Sequence, residues 1–128
     1  MTEILEMYKC NVCGNLVEVV LNGEGELVCC GQPMEHLKEK THTEEMMDEK
    51  HVPVIEHQSE HVIVKVGSVE HPMLPAHFIE WIVLETATGY QKKELNPGEK
   101  PEADFAVTEP VIAAYEYCNL RGIWAVKA

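Results

Sequence analysis

The chain is short of positive charge: across 128 residues, ten Lys and Arg stand against 22 Asp and Glu, for a formal net charge of -12. Nucleic acids and anionic membrane surfaces both need an electropositive face, so neither is expected as a partner. There is no run of about 18 apolar residues, and no basic, hydrophobic leader ending in a small-residue cleavage site. The expectation is therefore a protein of the cytoplasm with no membrane span. Nothing resembles a phosphate-binding glycine loop or a Ser-His-Asp arrangement, and no helical repeat, low-complexity tract or duplication is visible. The acidity also sets a condition. A small anionic substrate would be repelled by the molecule as a whole, so a site that accepts one must carry its own local positive charge.

What the sequence does have is an uneven set of five cysteines, a number that cannot close completely as intramolecular disulfides. Cys10, Cys13, Cys29 and Cys30 lie close together and Cys118 lies far away. In a reducing compartment this pattern points to a four-thiolate metal cluster plus one cysteine with a different task. Around the cluster, residues 1–37 contain an apolar run from Leu16 to Leu21, an Asn22-Gly23-Glu24-Gly25 turn and Leu27-Val28-Cys29-Cys30. These predict a β-hairpin framed by cysteine knuckles. Units below about 40 residues usually need metal, disulfides or oligomerisation to fold, so a metal here is structural whatever else it does. Cys10-x2-Cys13 sets two sulfurs on one turn, with Gly14 free to adopt positive φ. The neighbouring Cys29 and Cys30 can share an ion only if the backbone bends, which predicts a distorted tetrahedron. Spacing alone leaves zinc, rubredoxin-like iron and a vicinal disulfide open.

Residues 38–50 are rich in charge and read as a linker, with a turn of helix before Lys50. From His51 to residue 128 the pattern is one of short strands: Val52–Ile55, His61–Val66, Phe78–Glu85, Tyr90–Leu95, Asp104–Val107, Val111–Tyr117 and Ile123–Val126. Seven such strands with turn signals between them predict an immunoglobulin-like antiparallel β-sandwich. Phe78–Leu84 is apolar at both parities, as a central strand should be.

Several motifs recur in order along the chain: Tyr8-Lys9-Cys10-x2-Cys13-Gly14, Cys29-Cys30, Glu49-Lys50-His51-Val52-Pro53-Val54-Ile55, His71-Pro72-Met73 followed by His77, and Cys118-Asn119. Together they resemble desulfoferrodoxin, the two-iron superoxide reductase family, essentially from end to end. The resemblance implies a mainly β protein with a desulforedoxin-like N-terminal domain (1–37) that binds a rubredoxin-like iron through Cys10, Cys13, Cys29 and Cys30. It implies a second iron in the sandwich (51–128), with His51, His71 and His77 in a plane, Cys118 on the axis and one position open to superoxide. The implied reaction is one-electron reduction of superoxide to hydrogen peroxide, fed by a rubredoxin-like or other small electron donor, in a homodimer. Lys50 would supply the local charge that the acidic total demands, and Glu49 could ligate the oxidised metal.

One departure stands out. The family pattern after the axial cysteine is Cys-Asn-x-His-Gly, whereas this chain reads Cys118-Asn119-Leu120-Arg121-Gly122. Arginine is protonated at ordinary pH and has no lone pair to donate. None of His36, His42, His57 and His61 stands at a matching position. Two other readings follow: an electron carrier whose sandwich is a scaffold, and a zinc-stabilised structural relative with impaired catalysis.

Overall fold

The structure is a computed structural model that describes residues 6–39 and 48–128. The chain divides into two compact units, Met1–Lys38 and Glu39–Ala128.

In the first unit, β1 (Met7–Lys9), β2 (Leu16–Glu18) and β5 (Glu35–Leu37) form an antiparallel sheet in the order β2-β1-β5, while β3 (Val28–Cys29) pairs with β4 (Gln32–Pro33). The hairpin expected across Asn22–Gly25 does not form. Leu16–Glu18 instead pairs back onto β1 around the first cysteine pair, and Val28–Cys29 pairs forward onto β4 around the second. The tight turn is supplied elsewhere: Cys30 (φ 53°) and Gly31 (φ 74°) are both left-handed, the requirement of a two-residue hairpin loop whose twist matches its strands. Val19 is buried, but Val20 and Leu21 at the end of the apolar run remain 81% and 82% exposed. Among the described residues, the buried apolar side chains of this unit are Met7, Cys10 and Val19, too few to hold it by burial alone.

The second unit starts with a single helical turn, α1 (Asp48–His51), that takes in Lys50 and His51. Residues 40–47 of the predicted linker, with His42, Met46 and Met47, lie outside the described residues. Seven strands follow: β6 (Pro53–His57), β7 (His61–Val66), β8 (Ile79–Thr86), β9 (Gly89–Glu94), β10 (Glu102–Ala106), β11 (Val111–Cys118) and β12 (Gly122–Lys127). They make a three-stranded sheet, β10-β7-β6, and a four-stranded sheet, β12-β11-β8-β9, all antiparallel. The alternation in His61–Val66 puts Val62, Val64 and Val66 inward, where they meet Ile82, Leu84 and Ala114 of the facing sheet and Phe105 of the neighbouring strand. The apolar β8 is an interior strand between β11 and β9, and its apolar residues Ile79, Trp81, Ile82, Val83 and Leu84 are all buried.

This topology gathers four chain segments at one end of the sandwich. Pro53 at the start of β6 is paired with Val66 at the end of β7, and Ile79 at the start of β8 with Cys118 at the end of β11. The segments just before β6, just after β7, just before β8 and at the end of β11 carry His51, His71, His77 and Cys118.

Candidate metal centres

The N-terminal centre is built on a knuckle. Cys10 N–H donates to Asn15 O and Gly14 N–H to Cys10 O, both at 2.9 Å, and Gly14 takes φ 84°, which a side chain would resist. The turn aims Cys13 N–H at Cys10 Sγ (3.4 Å). The left-handed Cys30 is the bend that the adjacent pair needs, and it brings Cys29 Sγ within 3.9 Å of Cys30 Sγ and 3.6 Å of Cys13 Sγ. Ligand atoms of all four cysteines lie within 4.8 Å of one another, and none of the cysteines is in a disulfide. Backbone N–H groups of Cys13 and Val12 lower the Cys10 pKa to about 6, while hydrogen bonds from the other cysteines, Cys13 first, raise Cys30 to about 12. The cluster thus favours a thiolate at Cys10 and resists further ones at Cys29 and Cys30. A divalent cation at their centre removes that conflict.

The second centre is buried in the sandwich end. His51, His71 and Cys118 are 4%, 2% and 0% exposed, and ligand atoms of these three and His77 fall within 4.8 Å of one another. His71 Nε2 is 3.1 Å from His51 Nε2 and 3.5 Å from Cys118 Sγ. His71 Nδ1 lies 2.6 Å from Pro72 O, a pure acceptor, so Nδ1 carries the proton and Nε2 presents its lone pair inward. Burial pushes the His71 pKa down to about 4, with further lowering from the charges of His51, His77 and Lys50, so the ring is neutral at physiological pH. His77 Nε2 is buried without a hydrogen-bond partner among the described residues.

These observations fit a metal ion. Donors held at about 2.0–2.3 Å from one ion stand no more than roughly 4.4 Å apart for a nitrogen and a sulfur, and the two measured separations are well inside that. The inward lone pair of His71 Nε2, the His51 nitrogen 3.1 Å from it and the orphaned His77 nitrogen are a donor set suited to a cation between them.

The surroundings hold the donors in place. Asn119 Oδ1 accepts from Phe78 N–H and its Nδ2 donates to Ala76 O, both at 3.0 Å, so this side chain clamps the loop that carries His77 to the turn that carries Cys118. Leu74 and His77 exchange two backbone hydrogen bonds at 2.9 and 3.0 Å, which closes that loop tightly. Trp124 stacks on His51 with ring centroids 5.0 Å apart, and its Nε1–H donates to Arg121 O (3.2 Å). The Cys118 thiol is pushed up chiefly by burial and pulled down by backbone N–H groups of Leu120 and Arg121 and by the Arg121 charge. Gly122, at φ 84°, allows the chain to turn back so that it pairs with Cys118.

The structure therefore brings together all eight cysteines and histidines singled out in the sequence, as two groups of four. Lys50 is exposed, and its charge reaches His71. Glu49 belongs to the helical turn, but its side chain lies outside the described residues. Arg121 is exposed in the Cys118–Gly122 turn. The remaining described histidines are engaged elsewhere: His36 pairs with Glu6 at 3.2 Å in the first unit, His61 bonds Asp104 at 2.7 Å, and His57 is exposed at the far end of β6.

Sequence reasoning missed Asn119, Trp124 and Glu116. Glu116 is fully buried, has no hydrogen-bond partner for either carboxylate oxygen, and desolvation drives its pKa well up. Parity could have found it, since it alternates inward with Ala114 and Cys118. Asn119 was visible in the Cys-Asn motif, but its clamp depends on where the loop around His77 runs.

Comparison with known proteins agrees with this geometry. The desulfoferrodoxin family model matches residues 43–127, and that of the desulfoferrodoxin N-terminal domain matches residues 2–37. A desulfoferrodoxin homolog of Archaeoglobus fulgidus is 52% identical over 124 residues, covering 97% of this chain and 98% of the relative. A desulfoferrodoxin of Syntrophotalea carbinolica is 52% identical over 125 residues, covering 98% of each. The crystal structure of the superoxide reductase from Treponema pallidum superposes with a TM-score of 0.80 at 35% identity, over 96% of this chain and 98% of that one. With both centres, both units and the end-to-end identity in agreement, the chain belongs to the desulfoferrodoxin family.

Proposed function

We propose that this protein is a superoxide reductase. The observation that carries the reading is the convergence of His51, His71, His77 and Cys118 on one buried point beside an exposed lysine, in a chain similar to a superoxide reductase over nearly its whole length. The overall reaction takes one superoxide, one electron and two protons to one hydrogen peroxide. Iron held by His51, His71, His77 and Cys118 would supply the electron and a coordination position for the substrate.

This chain's own residues do the rest. His71, fixed by Pro72 O and kept neutral by burial, holds its lone pair on the metal at any physiological pH. Cys118 gives the thiolate, with N–H groups of Leu120 and Arg121 on its sulfur to favour the charged form. Lys50 draws an anion towards a site on a molecule of net charge -12. Glu49 would offer a carboxylate to the metal. Cys10, Cys13, Cys29 and Cys30 would hold a second iron, which would supply one-electron redox chemistry, with a rubredoxin-like or other small protein as the electron donor. The protein works in the cytoplasm as a homodimer.

The test is stoichiometry. Iron-loaded, reduced protein given superoxide should form one hydrogen peroxide per superoxide consumed and release no oxygen. Oxygen release with half that peroxide would mean dismutation instead. Arg121 favours a second reading, in which the sandwich is a scaffold and the N-terminal iron an electron carrier; reversible oxidation of that iron with no superoxide consumption would select it.

A further inference from the structure

The five cysteines differ in what they face. In the N-terminal centre Cys10 is 2% exposed and Cys29 is partly covered, while Cys13 and Cys30 open to solvent. Cys118 of the second centre is fully buried, and its fellow donors are three imidazoles. An oxidant from solution therefore meets sulfur at the first centre, where a second sulfur stands beside it to trap the oxidised one. Cys118 has neither the exposure nor a neighbouring thiol.

Geometry selects the pair. Cys13 Sγ lies 3.6 Å from Cys29 Sγ, so the first knuckle faces the second. A disulfide bond is about 2.05 Å long, and the two sulfurs need to close by roughly 1.5 Å to form one. Cys29 and Cys30 are also near, at 3.9 Å, but they are adjacent in the chain. Neighbouring Cα atoms stand about 3.8 Å apart, below the roughly 4.4–6.8 Å that an unstrained disulfide spans. Cys10 is shielded from solvent. The consequence of losing two thiolates is large in this unit, because metal stands in for a core: Met7, Cys10 and Val19 are its buried apolar residues among those described.

We propose that Cys13 and Cys29 form an oxidative modification site, which hydrogen peroxide converts to a disulfide so that the N-terminal centre gives up its metal while the second centre keeps its own. The Cys13 thiolate attacks one peroxide oxygen and the O–O bond breaks; sulfur keeps a hydroxyl as sulfenic acid, and hydroxide leaves to become water. The Cys29 thiolate then attacks that sulfur, the S–O bond breaks, and a second hydroxide leaves and is protonated. In all, two thiolates, one peroxide and two protons give one disulfide and two waters, with two electrons passing from sulfur to oxygen. The two thiolates left, Cys10 and Cys30, hold a divalent ion far more weakly than four. The proposal rests on the four-thiolate metal reading, and it gives the product of the proposed reaction a second effect on the chain that makes it.

The experiment uses the full chain loaded with zinc at both centres, which keeps metal redox chemistry out of the measurement, and supplies peroxide from outside. A chromophoric chelator reads released zinc. About a tenfold excess of peroxide should release one zinc per chain and leave the metal-free mass about 2 Da lower. After alkylation, cleavage at Glu18, Glu24 and Glu26 separates the Cys10–Cys13 peptide from the Cys29–Cys30 peptide. The two should stay joined through Cys13 and Cys29, and a dithiol with fresh zinc should restore two zinc per chain. A link through Cys10, or one confined to Cys29 and Cys30, would overturn the pairing. Zinc release with added oxygen on sulfur and no joined peptides would overturn the disulfide, and equal release without peroxide would overturn the oxidation itself. Zinc loading that stops below two per chain, with all four N-terminal cysteines open to alkylation, would instead sink the four-thiolate reading before any peroxide is added.

Discussion

Asn119→Ala removes the clamp between the two halves of the second centre without touching a metal donor. The asparagine makes two side-chain hydrogen bonds of 3.0 Å, to Phe78 N–H and Ala76 O, that flank His77. Each neutral hydrogen bond contributes roughly 1 kcal/mol net, so the pair holds the His77 loop in place by about 2 kcal/mol. If the loop is released in the metal-free variant, metal binding must reorder it, and that 2 kcal/mol converts to an affinity loss of about 30-fold. This lies inside the range of about 10- to 100-fold seen for groups that orient metal ligands. Competition with a chelator of known affinity, read at the second centre, measures it, and the four-cysteine centre in the same sample is the control. An unchanged affinity together with an unchanged melting temperature would refute the argument, because the clamp would then be holding nothing.

Lys50→Ala should slow superoxide capture by about tenfold at low ionic strength and flatten its salt dependence, measured by pulse radiolysis; an unchanged rate in dilute buffer counts against steering. Stripping metal from the N-terminal unit should unfold it while the sandwich stays folded, because Met7, Cys10 and Val19 are its buried apolar residues among those described. Amide resonances of β1 and β2 would lose their dispersion and those of β7 and β8 keep it; retained dispersion in β1 would show that the small core suffices. Trp124→Ala empties a fully buried position and should cost about 3–5 kcal/mol in denaturant unfolding of the sandwich, with a value near 1 kcal/mol contradicting the packing described.

The sandwich was legible because its information is local. Runs such as His61–Val66 and Val111–Tyr117 alternate or stay apolar at strand length, and their neighbours carry turn residues, so strand positions followed to within a residue or two. The N-terminal unit was not legible in the same way. With three buried apolar side chains among its described residues it has little hydrophobic pattern to read, and its pairing follows the cysteine knuckles and the left-handed Cys30 instead. The apolar Leu16–Leu21 run invited a hairpin, yet Val20 and Leu21 at its end stay exposed. Site residues divide likewise. The donors are chemically conspicuous and could be singled out by type and motif, but the groups that aim them could not. Pro72 O acts through its backbone, Asn119 through a loop 41 residues away, and Trp124 through the face of His51. Such partners are set by the fold and leave no spacing signal.

The claim that everything else depends on is that Cys118 and three imidazoles share one metal. The visible spectrum of oxidised, iron-loaded Cys118→Ser protein beside the native protein tests it most directly. Loss of one thiolate-to-iron band, with the bands of the four-cysteine centre undisturbed, is the predicted result. A spectrum identical to the native one would place the Cys118 sulfur off the metal and contradict the account.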